Sequence, residues 1–241
     1  MDPRRPAGVR HDDRVTAALR LDGVGVRLGD VDVLADVSLD LDARTVAVIG
    51  ENGSGKSTFA RLVGGLVPRS SGEVRVLGLD PARDARELRR RVALVFSNPD
   101  AQIVMPTVRE DVAFSLRSER LARDESAARV ADALARFGLA DLAGRPSHDL
   151  SGGQKQLLAL AGAFVRQPEL VIADEPTAYL DARNARRVAD HLFEEGHRLV
   201  LVTHDLDVAR RCDAAVLFAG GRLTRVGTPV EVVAAYEALL G

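Results

Sequence analysis

The stretch TVAVIGENGSGKST, Thr45 to Thr58, decides the fold. Thr45 to Ile49 is a short β-branched run of the kind that forms a strand buried on both faces, and a helix is predicted from Lys56 to Val63. Between them lies the pattern G-x-x-x-x-G-K-[ST], in the strand-then-helix context that a phosphate-binding loop requires. Gly50, Gly53 and Gly55 let the backbone close around phosphate oxygens where a Cβ would obstruct the N–H groups. The helix N-terminus adds partial positive charge. Together with Glu51, Asn52 and Ser54 these residues form the candidate cradle. Lys56 is expected to reach the β- and γ-phosphates, Ser57 to hold Mg²⁺, and Thr58 to support the α/β-phosphate side.

Lysine usage sharpens this reading. The chain has 33 Lys and Arg residues, yet only Lys56 and Lys155 are lysines. A position that keeps Lys against such a bias needs a compact, flexible point charge.

Outward from the loop, further buried strands are predicted at Ala93–Phe96, Leu170–Ala173, Leu199–Val202 and Ala215–Phe218, several separated by helical patterns. That alternation indicates an α/β fold with a mostly parallel sheet. Before the loop, LRLDGVGVRL and VLADVSLDL alternate with period two and are broken by Gly23, Gly29 and Asp30, which predicts an antiparallel β subdomain. Between about residues 100 and 150 the chain reads helix after helix, near Val108–Arg117 and Glu125–Phe137, as an inserted helical subdomain. Thr228 to Leu240 opens as a capping-box helix. Residues 1–16 mix Pro, Arg and Asp without periodicity and are expected to be a disordered tail, leaving 17–241 as one domain.

Composition narrows the function classes. Aromatics make up 4% of 241 residues, Trp is absent and the net charge is -2, so neither stacking platforms nor a basic footprint for nucleic acid is present. The longest apolar run, Leu157–Val165, is too short for a membrane span, and the charged N-terminus lacks the apolar core of a signal peptide. The single cysteine, Cys212, forms no internal disulfide, fits a reducing compartment and is expected to be a small buried hydrophobe.

Two further patterns carry chemistry. Leu170-Val-Ile-Ala-Asp174-Glu175 places adjacent carboxylates at the end of an apolar strand, where a parallel sheet delivers side chains to the ligand crevice. Asp174 suits a Mg²⁺ shell, and Glu175 suits activation of an attacking water. Leu150-Ser-Gly-Gly-Gln154 precedes an apolar helix, with Ser151 and Gln154 fitting a capping box. Gly152 and Gly153 are each unfavourable by roughly 1 kcal/mol against Ala in a helix interior. They are expected where an anionic phosphate comes close.

On these residues the chain resembles the ATP-binding cassette (ABC) family over nearly all of its length after the tail. GENGSGKST resembles Walker A, LSGGQ the signature, LVIADE Walker B with catalytic Glu175, Ala178–Asp181 the D-loop, and Val202-Thr-His204 the switch-histidine segment. The resemblance implies a P-loop nucleotide-binding domain that uses ATP and Mg²⁺. It also implies a head-to-tail dimer, with itself or a homologous cassette, in which Walker A of one copy faces Ser151–Gln154 of the other. His204 is then expected to contact the γ-phosphate and to orient Glu175 and water. His11, His148, His191 and His197 show no ligand spacing and are expected at the surface.

Two features depart from the family pattern. The aromatic that usually stacks on adenine is missing near Leu28, and Ser97 stands where the Q-loop glutamine is usual, with Gln102 further along. The run FSNPDAQIVMPTVREDVAFSL, Phe96 to Leu116, resembles ATPases of energy-coupling factor importers for vitamins and for nickel or cobalt. With Ser97 and ADEPTAYLDARN it looks closest to the biotin-uptake branch. The partners so implied are a transmembrane coupling protein and a small substrate-binding membrane protein, with this chain peripheral on the cytoplasmic face. The alternatives are the ATPase of another ABC importer and a soluble ABC switch protein; the near-neutral charge and single cassette favour a transporter.

Overall fold

The computed structural model describes residues 17–194 and 196–240. The expected N-terminal tail and His11 lie outside them. Two sheets organise the chain. A three-stranded antiparallel sheet has the order β2-β1-β4, formed by Val31–Leu41, Leu19–Leu28 and Ser71–Val76. A six-stranded sheet has the order β5-β6-β7-β3-β8-β9, formed by Val92–Phe96, Leu170–Asp174, Arg198–Val202, Thr45–Gly50, Ala214–Ala219 and Arg222–Gly227. Its pairings are parallel except β8 with β9.

The unbroken apolar runs of the central strands follow from burial on both faces. Ala47, Ile49, Val171, Ala173, Leu199 and Leu201 enter one core. Their alternating neighbours Val46, Val48, Leu170, Ile172, Val200 and Val202 enter the other. The first core is closed by α3 (Val108–Ser115), α4 (Arg123–Arg136), α5 (Gly152–Phe164), α6 (Ala182–Phe193) and α8 (Pro229–Leu240). The second is closed by α1 (Lys56–Val63) and the antiparallel sheet. There Phe59 of α1 is fully buried against Phe218 of β8, ring centroids 5.1 Å apart. Its truncation to Ala costs about 3–5 kcal/mol.

The predicted β3, α1 and buried strands stand within a residue or two of their expected limits. The shorter elements α2 (Ala85–Arg91), β4, α7 (Leu206–Ala209) and β9 were not anticipated by name. Among the described residues no helix is long and apolar enough to cross a membrane.

Two of the histidine expectations are corrected. His197 is buried: its ring meets Phe164 edge-on at 4.8 Å and Nε2 lies 2.9 Å from the Leu192 carbonyl. Burial lowers its pKa, so the ring is held neutral. His191 is largely covered, its ring tilted against Phe137 with centroids 4.5 Å apart and Nδ1 2.6 Å from Glu194. An imidazole offers an apolar face as well as polar edges, and α4, α5 and α6 supply partners for both. His148 is exposed, as expected.

Candidate nucleotide site

Strand β3 ends at Gly50, in the interior of the parallel sheet, and the chain turns there into α1. The glycines are needed for different reasons. Gly50 has φ 144°, and a Cβ on it would stand 2.1 Å from the Phe218 carbonyl oxygen. Gly55 has φ 102° and lies under β2, where a Cβ would stand 2.6 Å from Leu34 Cδ2. The loop is thus clamped from outside by β2 and by β8, with Gly221 N donating to the Ser54 carbonyl at 3.1 Å.

Lys56 folds back over the loop and donates from Nζ to the carbonyls of Gly50 at 2.8 Å and Glu51 at 2.7 Å. Burial lowers its pKa, opposed by the carboxylates of Glu175 and Asp174. Across the site, β6 delivers Asp174, which accepts from Ser57 Oγ at 3.0 Å. Burial raises the Asp174 pKa against the hydrogen bond from Ser57 and the charges of Arg61 and Lys56. Ser54 Oγ is buried without a hydrogen-bond partner. A loop with an unpaired buried hydroxyl, a cation held on carbonyls and a carboxylate whose charged form is disfavoured by burial is suited to receive a phosphate chain and a divalent cation. Among the described residues no three His, Cys, Asp or Glu side chains cluster as a metal cage. Such a cation would take oxygens from the nucleotide and water beside Ser57 and Asp174, as suits Mg²⁺.

Glu175 follows in a left-handed conformation, φ 51°, with its N–H on the Val202 carbonyl at 3.0 Å. This non-glycine left-handed turn directs the carboxylate away from Asp174 and toward β7. His204, just after β7, lies with Nδ1 2.7 Å from Glu175 Oε2. A carboxylate only accepts, so Nδ1 carries the proton in this pair. Asn52, Ser97, Glu175, Tyr179 and His204 border one cavity of about 550 Å³, which unites the loop, the Ser97 position and the D-loop segment.

The Ser151–Gln154 turn does not border that cavity. Its capping box is formed: Ser151 N donates to Gln154 Oε1 at 2.9 Å and Gln154 N to Ser151 Oγ at 3.3 Å. The two glycines separate here. Gly153 is needed within the chain, since a Cβ would stand 2.5 Å from Asn184 at the start of α6. Gly152 faces open space and has no such internal reason. Gln102 does not replace the glutamine absent at Ser97. Its Oε1 accepts from Phe96 N at 2.8 Å and its Nε2 donates to the Leu94 carbonyl at 2.9 Å, so both ends are occupied by β5. Leu28 ends β1 partly exposed. Sequence reasoning did not find the lysine's second use, Lys155 Nζ on Asp100 at 2.7 Å, which ties the start of α5 to the turn after β5.

Residues 34–178 match the ABC transporter family. The chain is 41% identical to the energy-coupling factor transporter ATP-binding protein EcfA1 of Latilactobacillus sakei, over 86% of this chain and 76% of that protein. It is 36% identical to the biotin transport ATP-binding protein BioM of Rhizobium etli, over 91% and 97%. The solved structure of cbiO1 from Clostridium perfringens, part of an ABC transporter complex, superposes with a TM-score of 0.81 at 32% identity, covering 93% of this chain and 94% of that one. Sequence match, fold and the loop at the end of β3 agree, and the chain belongs to the ABC transporter family as one of its ATP-hydrolysing subunits.

Proposed function

We propose that this chain is the ATPase of an energy-coupling factor importer for a small vitamin of the biotin kind or for cobalt or nickel, peripheral on the cytoplasmic face of the membrane. The observation that carries the chemistry is the pairing of side chains at the ends of β3, β6 and β7: Ser57 with Asp174 and Glu175 with His204, beside the loop over which Lys56 folds. The names of the relatives and the Phe96–Leu116 segment support the importer branch.

In this reading Gly50 to Thr58 cradle the phosphates, and Lys56 exchanges its two carbonyl partners for β- and γ-phosphate oxygens. Ser57 and Asp174 would hold Mg²⁺, which when bound would neutralise charge on the phosphate oxygens. Glu175 accepts the proton of the attacking water. His204, now on Glu175, fixes that carboxylate and reaches the γ-phosphate. Ser151, Gly152, Gly153 and Gln154 of a second cassette close over the nucleotide, which gives the open Gly152 a reason. The helices between about residues 100 and 150 act as the inserted subdomain that carries this turn, and a transmembrane coupling protein docks beside Ser97–Glu110. A small substrate-binding membrane protein completes the complex and holds the transported compound.

The test is purification of the tagged chain from detergent-solubilised membranes with mass spectrometry of what is retained. Recovery of a coupling protein together with a small membrane protein is expected. Recovery of soluble partners alone would overturn the transport reading and leave the ATPase.

A further inference from the structure

The preference for arginine leaves this chain two lysines, and the phosphate loop accounts only for Lys56. Lys155 closes the first turn of α5, directly after the capping-box residue Gln154. A cation there opposes the helix dipole, which favours acids in a first turn, and the first turn of α5 holds none. Helix preference therefore gives no reason for the charge. Stability gives little more: Asp100, its partner at 2.7 Å, is well exposed, and ion pairs open to solvent contribute little.

The pair joins two segments 55 residues apart. Asp100 sits in the short turn Pro99–Ala101, where Pro99 fixes the backbone and Asn98 Oδ1 accepts from Asp100 N at 3.0 Å. The next side chain of α5, Gln156, is buried and donates from Nε2 to the Phe96 carbonyl at 3.1 Å. Phe96–Asp100 is thus gripped at both ends by consecutive residues of α5, with Ser97 between the grips. Ser97 borders the cavity that Glu175 and His204 also line, whereas the Ser151–Gln154 turn lies outside it.

The turn is backed on its other side by Asn184, which leaves no room for a Cβ at Gly153. Asp181 holds Asn184 through its N–H at 2.9 Å and its amide at 2.8 Å. Asp181 in turn follows Ala178, Tyr179 and Leu180, which line the same cavity. Two segments that leave the nucleotide crevice therefore meet the Ser151–Gln154 turn, one through packing and the other through the Lys155 ion pair.

We propose that Lys155 is a positioning residue for ATP hydrolysis: its pair with Asp100 makes the Ser151–Gln154 turn follow the Ser97 segment. The state of one crevice then sets how this turn is presented to the nucleotide of a second cassette. The ammonium acts through the turn and does not itself meet that nucleotide. The inference rests on the head-to-tail closure proposed above and adds the residue that orients the closing turn.

The test uses the full chain with Lys155→Met, with Asp100→Asn, and with the exchanged pair Asp100→Lys/Lys155→Asp, which places an acid in the first turn of α5 where the dipole favours it. Steady-state hydrolysis gives kcat and KM, a fluorescent ATP analogue reports binding, and thermal unfolding checks the fold. Both single variants should lose about 10- to 100-fold in kcat, the scale on which a misplacement of about 1 Å acts, with analogue binding and KM within about threefold. The exchanged pair should recover most of that loss. A merely structural role would lower Tm and binding together with kcat. Turnover within about twofold of the original in Lys155→Met overturns the proposal. So does an exchanged pair as slow as the single variants, the outcome expected if the ammonium itself touches the nucleotide. Should one single variant fail to fold, the other and the exchanged pair decide in the same way. Light scattering of the Glu175→Gln chain with Lys155 intact tests closure separately: without an ATP-dependent dimer the closure reading falls, and this inference with it.

Discussion

Replacing Gly152 with alanine sets the stability of the isolated chain against its turnover. Gly152 is the first residue of α5, its φ is not in the left-handed region, and a Cβ there meets nothing within 4 Å. Alanine therefore adds helix preference without strain, on the order of 0.5 kcal/mol in a first turn. For a chain of this size that raises Tm by about 1–2 °C. In the proposed closed dimer the same position must let a phosphate reach the backbone N–H of the helix terminus, and a methyl group obstructs that approach. A hydrogen bond to a charged group is worth about 1.5–3 kcal/mol, so turnover should fall about 10- to 100-fold. Gly153→Ala is the internal comparison: the new Cβ falls 2.5 Å from Asn184, which Asp181 holds through both its backbone N–H and its side-chain amide. Overpacking of that kind costs about 1–3 kcal/mol, so Tm should drop. The assay is thermal unfolding without nucleotide and steady-state ATP hydrolysis on the same preparations. A Gly152→Ala chain with raised Tm and turnover within about twofold of the original would refute the approach of a ligand at this terminus.

The other expectations concern the crevice and two buried groups. Glu175→Gln should keep ATP binding, accumulate a closed dimer by light scattering and lose about 10²–10⁴-fold in turnover, whereas Lys56→Ala should fail in nucleotide binding or hydrolysis; normal turnover in the lysine variant would dismiss the site assignment. The hydrogen bonds from Arg69 hold the Asp80 carboxyl at about 2, well below the usual carboxylate range. Its contribution to stability is accordingly complete above the unfolded-state pKa and is lost as pH falls toward 2, and Asp80→Asn should flatten acid unfolding over that interval in circular dichroism. Burial pushes the Cys212 thiol up to about 12, so iodoacetamide at pH 8 should label it only after denaturant unfolds the chain.

The parts of the fold that could be read in advance are those in which one short stretch carries its own physical reason. Thr45–Ile49 is apolar on both faces because two cores meet there, and Gly50–Ser57 can be read because close approach to a ligand constrains residue type at fixed spacing. Strand β9 escaped notice because most of RLTRVG is exposed and its pairing with β8 supplies what periodicity does not. Helix α2 is only about two turns long with only Leu88 buried, too little for a pattern. The site shows the same division. Glycines at 152 and 153 look equivalent in sequence, yet one is set by Asn184, about thirty residues away, and the other is free of its own chain. A cluster of arginines is illegible for a related reason: Arg86, Arg89 and Arg90 of α2 and Arg117 and Arg120, just after α3, are far apart in sequence and border one cavity only in the fold. His197 shows the converse, a polar side chain whose buried surroundings are assembled from α5 and α6.

The pairing of Gln102 and Gln156 with β5 has a consequence for solubility. β5 is the last strand on its side of the six-stranded sheet, so the backbone groups it turns outward could nucleate strand addition by another molecule. Gln102 covers Phe96 N and the Leu94 carbonyl, and Gln156 donates to the Phe96 carbonyl at 3.1 Å. Two side-chain amides thereby imitate a neighbouring strand and end the sheet without a further strand. The edge of the sheet is in this way protected from the strand-to-strand association between molecules that a high local concentration would otherwise promote.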